Sequence, residues 1–180
     1  MADAVIVRTA RLGLYLILLT VVQTTVLPHL RIFGVVPDLG LVAAVALAVR
    51  YGPETGATFG VFAGLATDAF LQTPLGLAAF AFGMTAYVVG VLQRWLVRPA
   101  WWVHPAVAFG AGLLAGALFV GFGALVGQDQ LWALRSIRTI LLAAVYDGVV
   151  ALVIFPLTDM VARVGPRAFS ASGASGYGSA

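Results

Sequence analysis

Long apolar runs broken by short polar or proline-bearing joints dominate the chain. Six runs stand out, over Leu12–Leu27, Val36–Val49, Glu54–Leu71, Leu75–Leu92, Trp102–Val126 and Ile137–Val161. About 20 apolar residues in a helix cross the hydrocarbon core of a bilayer, and five of the runs approach that length while the second is short. Pro28, Pro37, Pro53, Pro74, Pro99 and Pro105 fall at or near the joints, where a missing N–H disturbs a helix least. Pro156 lies inside the last run, where it frees the carbonyl of Leu152 and predicts a kink. Trp95, Trp101, Trp102 and Trp132 also sit at run ends, as amphipathic rings do at a membrane interface. The pattern predicts an all-α integral membrane protein with a bundle of six transmembrane helices, or five if the short second run is re-entrant. It predicts a cytoplasmic N-terminus over 1–11, one transmembrane helical domain over 12–162 and a disordered cytoplasmic tail over 163–180.

Composition strengthens this reading. The chain is 62 % hydrophobic and 9 % charged, with a mean hydropathy of +1.04. A soluble domain is about 25 % charged. There is no cysteine, hence no disulfide framework and no Cys-based metal site. The ten basic residues are all arginine. They are scattered at run ends, so the pI of 9.8 reflects membrane orientation and not nucleic-acid binding. With six spans, Arg8, Arg11, Arg50, Arg94, Arg98, Arg163 and Arg167 share one side, and Arg31, Arg135 and Arg138 the other. The positive-inside rule then puts both termini in the cytoplasm. The first run follows arginines as a signal peptide would, but "VVQTTVLPHL" after it offers no small-residue cleavage site, so it reads as a retained helix.

Glycine recurs every fourth residue at Gly52, Gly56, Gly60 and Gly64, and the next step reaches Asp68. Residues four apart share a helix face that drifts about 40° per step. Such a face is a shallow groove that another helix can enter closely, and close contact is what holds helices together in lipid. The third helix is therefore expected to be central. Gly112 and Gly116 offer a second, shorter groove. These glycines either pack the bundle internally or dock another protein.

Three acids are candidates for chemistry. Asp38 follows Pro37 at the start of the second run and is expected to cap that helix. Asp68 ends the third run and is expected to pair with an arginine among Arg31, Arg135 and Arg138, near Gly76, at the extracytoplasmic surface. Asp147 is about ten residues, hence about 15 Å, into the sixth run. An acid that deep is a functional candidate by default, with Thr20 or Thr24 as expected hydroxyl partners. His29 and His104 each stand beside a proline and share no helix face with an acid, so no metal triad is visible. No Ser-His-Asp set, phosphate loop or catalytic carboxylate pair can be assembled, and no cofactor is implied.

The stretch "VPDLGLVAAVALAVRYGPETGATFGVFAGLATDAFLQTPLGLAAFAFGMTAYVVG", residues 36–90, resembles the rod shape-determining MreD family. The shared features are Pro37-Asp38-Leu39 opening the second helix, a Gly-rich third helix ending in Asp68, and then Pro74-Leu75-Gly76. A late helix with a polar centre and a proline, here Asp147 and Pro156, adds to it. The likeness extends from about residue 10 to 163. Family members often carry asparagine where Asp147 stands, so no role is carried onto that position. The resemblance implies a non-enzymatic membrane component of the cell-elongation machinery. Its implied partners are MreC, the actin-like MreB, RodA and a penicillin-binding transpeptidase, with membrane lipid and a second copy of the chain as further contacts and no nucleic acid. The family is also similar in its six-helix fold to the membrane substrate-binding subunits of vitamin importers. That likeness supplies an alternative, a ligand-binding importer subunit using Asp38, Asp68 and Trp132, with "GQDQLWALRSIR" as a lid or an interfacial stretch. A third reading, an enzyme or ion-coupled transporter, rests on Asp147 alone.

Overall fold

The apolar runs fold as helices, and the joints set where each begins and ends. The computed structural model describes residues 2–30, 34–70, 75–93, 103–125 and 134–163. Among them are six α-helices: α1 (Ala2–Thr25), α2 (Leu39–Tyr51), α3 (Pro53–Phe70), α4 (Leu77–Leu92), α5 (Val103–Leu125) and α6 (Leu134–Arg163). A 3₁₀ turn, Leu27–Leu30, follows α1. Helix α1 is already formed at Ala2, well before the run that begins at Leu12. Helix α6 continues through Pro156. The tryptophans, Pro74, Pro99, most of the segment 127–138 and the tail from 164 lie outside the described residues.

Proline and glycine fix both ends of α2. Asp38, held after Pro37, stands outside the helical region at φ −97°, ψ 89°, and its carbonyl accepts the N–H of Val42 at 3.0 Å. At the other end Gly52 turns to φ +97°, a conformation that side chains resist, and donates its N–H to the Ala48 carbonyl at 3.1 Å. Pro53 then opens α3, where its missing N–H costs nothing. Gly52 is thus a turn residue and not the first rung of the α3 glycine face.

Helix α2, not α3, is central. Every residue from Leu39 to Ala48 is buried, and α2 touches all five other helices. A helix apolar on every side belongs inside. Helix α3 instead leaves Val61, Phe62 and Leu65 exposed. Its remaining glycines face inward. A Cβ on Gly56 would collide with Ala48 of α2, and one on Gly64 with the backbone of Ala78 and Ala79 in α4. A Cβ on Gly60 would lie 2.9 Å from the Phe82 carbonyl oxygen. Helix α4 answers with Gly83 against Val61 and with Gly90, whose added Cβ would come within 2.6 Å of the Pro53 Cα. Helices α5 and α6 pair in the same way, Gly112 lying against Ala144 and Gly116 against Ile140.

Two pairs of contacts set the register of α2 on α6. Arg50 forms an ion pair with Asp159, its Nε donating to Oδ1 at 2.7 Å. Twelve residues earlier on both helices, the Asp38 N–H meets the Asp147 carboxylate. The two helices therefore run parallel. With 13 residues, α2 reaches about 20 Å, short of the roughly 30 Å hydrocarbon core. Its N-terminus stops level with the middle of α6, whereas α3 runs on. Gly40 is level with Ala63, since a Cβ there would lie 3.0 Å from the Ala63 Cβ. Asp68 is five residues, about 8 Å, beyond. A hollow follows from this mismatch. Val103–Leu125 and Ile137–Ala162 are long and apolar enough to cross a membrane. Thr9–Thr25, Leu39–Tyr51 and Leu77–Leu92 are apolar but shorter.

Candidate functional site

A chain of polar contacts crosses the bundle where α2 begins. Gln23 on α1 donates from Nε2 to Asp38 Oδ1 at 2.8 Å. The Asp38 N–H donates to Asp147 Oδ1, also at 2.8 Å. Gly112 makes room for the other Asp147 oxygen, because a Cβ at 112 would stand 2.8 Å from Oδ2. Asp147 is 2 % exposed. Its carboxylate thus anchors the free end of a half-length helix, and its partner is a peptide N–H and not the hydroxyl of Thr20 or Thr24. Those hydroxyls donate to their own helix, Thr20 to Leu16 and Thr24 to Thr20, each at 2.9 Å. Asp38 stands at the N-cap position, but its side chain makes no capping bond; it reaches sideways to α1. Asp38 thus lies beside the acid in the middle of α6.

Asp68 has a different task. It is 2 % exposed, and its oxygens accept the N–H groups of Gly76 at 2.9 Å, Ala78 at 3.1 Å and Ala79 at 3.3 Å. These are the otherwise unpaired donors at the start of α4, where the helix dipole also favours negative charge. Gly76, at φ +102°, makes the turn that aims them at α3. Asp68 thus caps the start of α4 across the α3–α4 joint; Arg31, one of its expected partners, lies outside the described residues.

Helix α1 packs most sparsely against the rest. Besides Gln23, Tyr15 holds it through a 2.8 Å bond between its hydroxyl and that of Thr158 on α6. Between α1, the start of α2 and the overhanging end of α3 lies a cleft of about 410 Å³. Leu19, Val36, Ala63 and Phe70 supply apolar walls, and Asp38, Gln23 and three threonines supply polar atoms. Among the described residues no group of three or more metal-ligating side chains occurs. His29 bonds the Thr25 carbonyl through Nδ1, and His104 packs tilted against Phe155 with ring centroids 4.8 Å apart.

The family model described as rod shape-determining protein MreD matches residues 7–161. The chain belongs to the MreD family. It is accordingly a membrane protein with a role in determining rod shape. No curated protein and no solved structure matches it.

Within this MreD-family chain the sequence missed several working residues. Gln23 is the one amide in the first apolar run, and that isolation was its signal. Gly83 and Gly90, seven apart on α4, mirror the α3 glycines. The partners Tyr15–Thr158 and Arg50–Asp159 are 143 and 109 residues apart, and nothing local announces them.

Proposed function

We propose that the chain is a non-enzymatic, multi-pass scaffold of the cell-elongation machinery in the bacterial inner membrane. On this reading it holds a single-span MreC-like protein and, directly or through it, RodA and a penicillin-binding transpeptidase. Membership of the MreD family carries the proposal. The seven-to-three arginine division supports six membrane passages with both termini in the cytoplasm. The inward glycine faces are filled by the chain's own helices, so a partner would use an outward face. Helix α1 offers Gly13, with open space around it, beside exposed Leu14, Ile17, Leu18 and Val21.

The chain lacks cysteine, so single-cysteine variants report without background. Leu18→Cys should cross-link to a cysteine in the span of the MreC-like protein, whereas Val149→Cys on exposed α6 should not. Equal cross-linking from both positions, or none from Leu18→Cys while the proteins still co-purify, would remove α1 as the docking face. Failure to co-purify at all would remove the scaffold reading.

A further inference from the structure

We infer that the cleft between α1, α2 and α3 binds the primary ammonium headgroup of a membrane lipid. The hydrogen-bonding positions that remain open in the cleft select its occupant. Thr20, Thr24 and Thr67 line it, and each hydroxyl already donates to a carbonyl of its own helix: Leu16, Thr20 and Ala63, at 2.9, 2.9 and 3.0 Å. A hydroxyl whose hydrogen is engaged presents lone pairs only. Asp38 is an acceptor throughout its carboxylate, with one oxygen taken by Gln23. The open positions are therefore mostly acceptors, and the fitting occupant is rich in N–H donors.

Charge points the same way. Asp38 and Asp147 are linked through a single peptide N–H. Among the described residues neither has a basic side chain within ion-pair distance; the ion pair nearby is Arg50–Asp159, twelve residues farther along. A carboxylate that stays ionised in a poorly solvated site calls for a compensating cation. The apolar walls and the setting in a membrane protein favour an amphiphile over a free amine. Thr24 and Phe70 line the cleft and are exposed, so the cleft is open at the protein surface, where a headgroup can enter while its acyl chains stay in the bilayer.

The test uses the full-length chain purified in detergent and offered lipids of identical acyl chains. The headgroups run from phosphatidylethanolamine through its mono- and dimethyl forms to phosphatidylcholine. This series keeps the positive charge and removes N–H donors one at a time. Native mass spectrometry counts the lipid retained. Phosphatidylethanolamine should be retained about tenfold over phosphatidylcholine, the scale of one charge-assisted hydrogen bond, with the methylated forms between. Asp38→Asn keeps the peptide N–H to Asp147 and should bring the ratio close to one. Thr67→Val should lower it less. Equal retention across the wild-type series overturns the inference, as does an undiminished preference in Asp38→Asn. Soluble phosphoethanolamine binding as tightly as the lipid would overturn the lipid source.

Discussion

The α3–α4 hairpin and the α1–α2 corner are built on opposite principles. In the hairpin, glycines bring backbones into contact over nearly the full length of both helices, and one buried carboxylate closes the joint. In the corner, a short helix leaves a hollow, and a few long-range polar bonds hold the neighbouring helix in place. Lipid tails are as apolar as leucine, so helices in a membrane gain little from hiding apolar surface. Close contact is one remedy and polar bonds are another. The first gives a rigid element that tolerates no added atom. The second gives a looser element in which an occupant can be accommodated.

The largest expected effect is in the hairpin. Gly64→Val drives side-chain atoms into the backbone of Ala78 and Ala79 and should destabilise the protein by about 3 kcal/mol or more, read as loss of the folded species on thermal melting in detergent. Gly52→Ala sharpens the contrast within the same glycine series. There is open space at Gly52, so only its positive φ resists, at about 1 kcal/mol.

Asp68→Ala comes next. It strands the N–H groups of Gly76, Ala78 and Ala79 and should cost about 2–3 kcal/mol, with faster hydrogen exchange at the start of α4. A loss below about 0.5 kcal/mol would show that the cap does not hold the hairpin.

The corner should be more forgiving of shape and more sensitive to chemistry. Asp147→Asn keeps an acceptor for the Asp38 N–H and should stay within about 1 kcal/mol of the parent, whereas Asp147→Leu orphans that donor and should cost about 2 kcal/mol. Equal losses in the two variants would mean that the carboxylate's charge matters more than its hydrogen bond. Tyr15→Phe removes the bond to Thr158 and should cost about 1 kcal/mol, read as raised exchange along α1 with α3 and α4 unchanged. Uniform exchange across all helices would erase the difference between the two regions.

The sequence discloses the hairpin better than the corner. The glycine spacing and the Asp68–Gly76 joint are local patterns, and local patterns carry helix faces and turns directly. Even so, the ladder misleads about its neighbours. A face that drifts about 40° per rung looks at α2 from Gly56 and at α4 from Gly60 and Gly64, and the first rung is a turn. The centrality of α2 was present in its all-round apolar composition, but a short run reads as a weak span before it reads as a core. The corner depends on pairs more than a hundred residues apart, such as Asp38 with Asp147, and on a length mismatch between helices. Neither leaves a periodic trace. The acids were legible as unusual residues, while their partners, a peptide N–H, an amide and a helix start, were not.

The most direct test of the whole account is depletion of this protein in its host, in rich and in vitamin-poor medium, with imaging of cell width and of new wall insertion. Widened or rounded cells with dispersed wall insertion in both media are the predicted result. Rods of normal width that stop growing only when vitamins are scarce would contradict it.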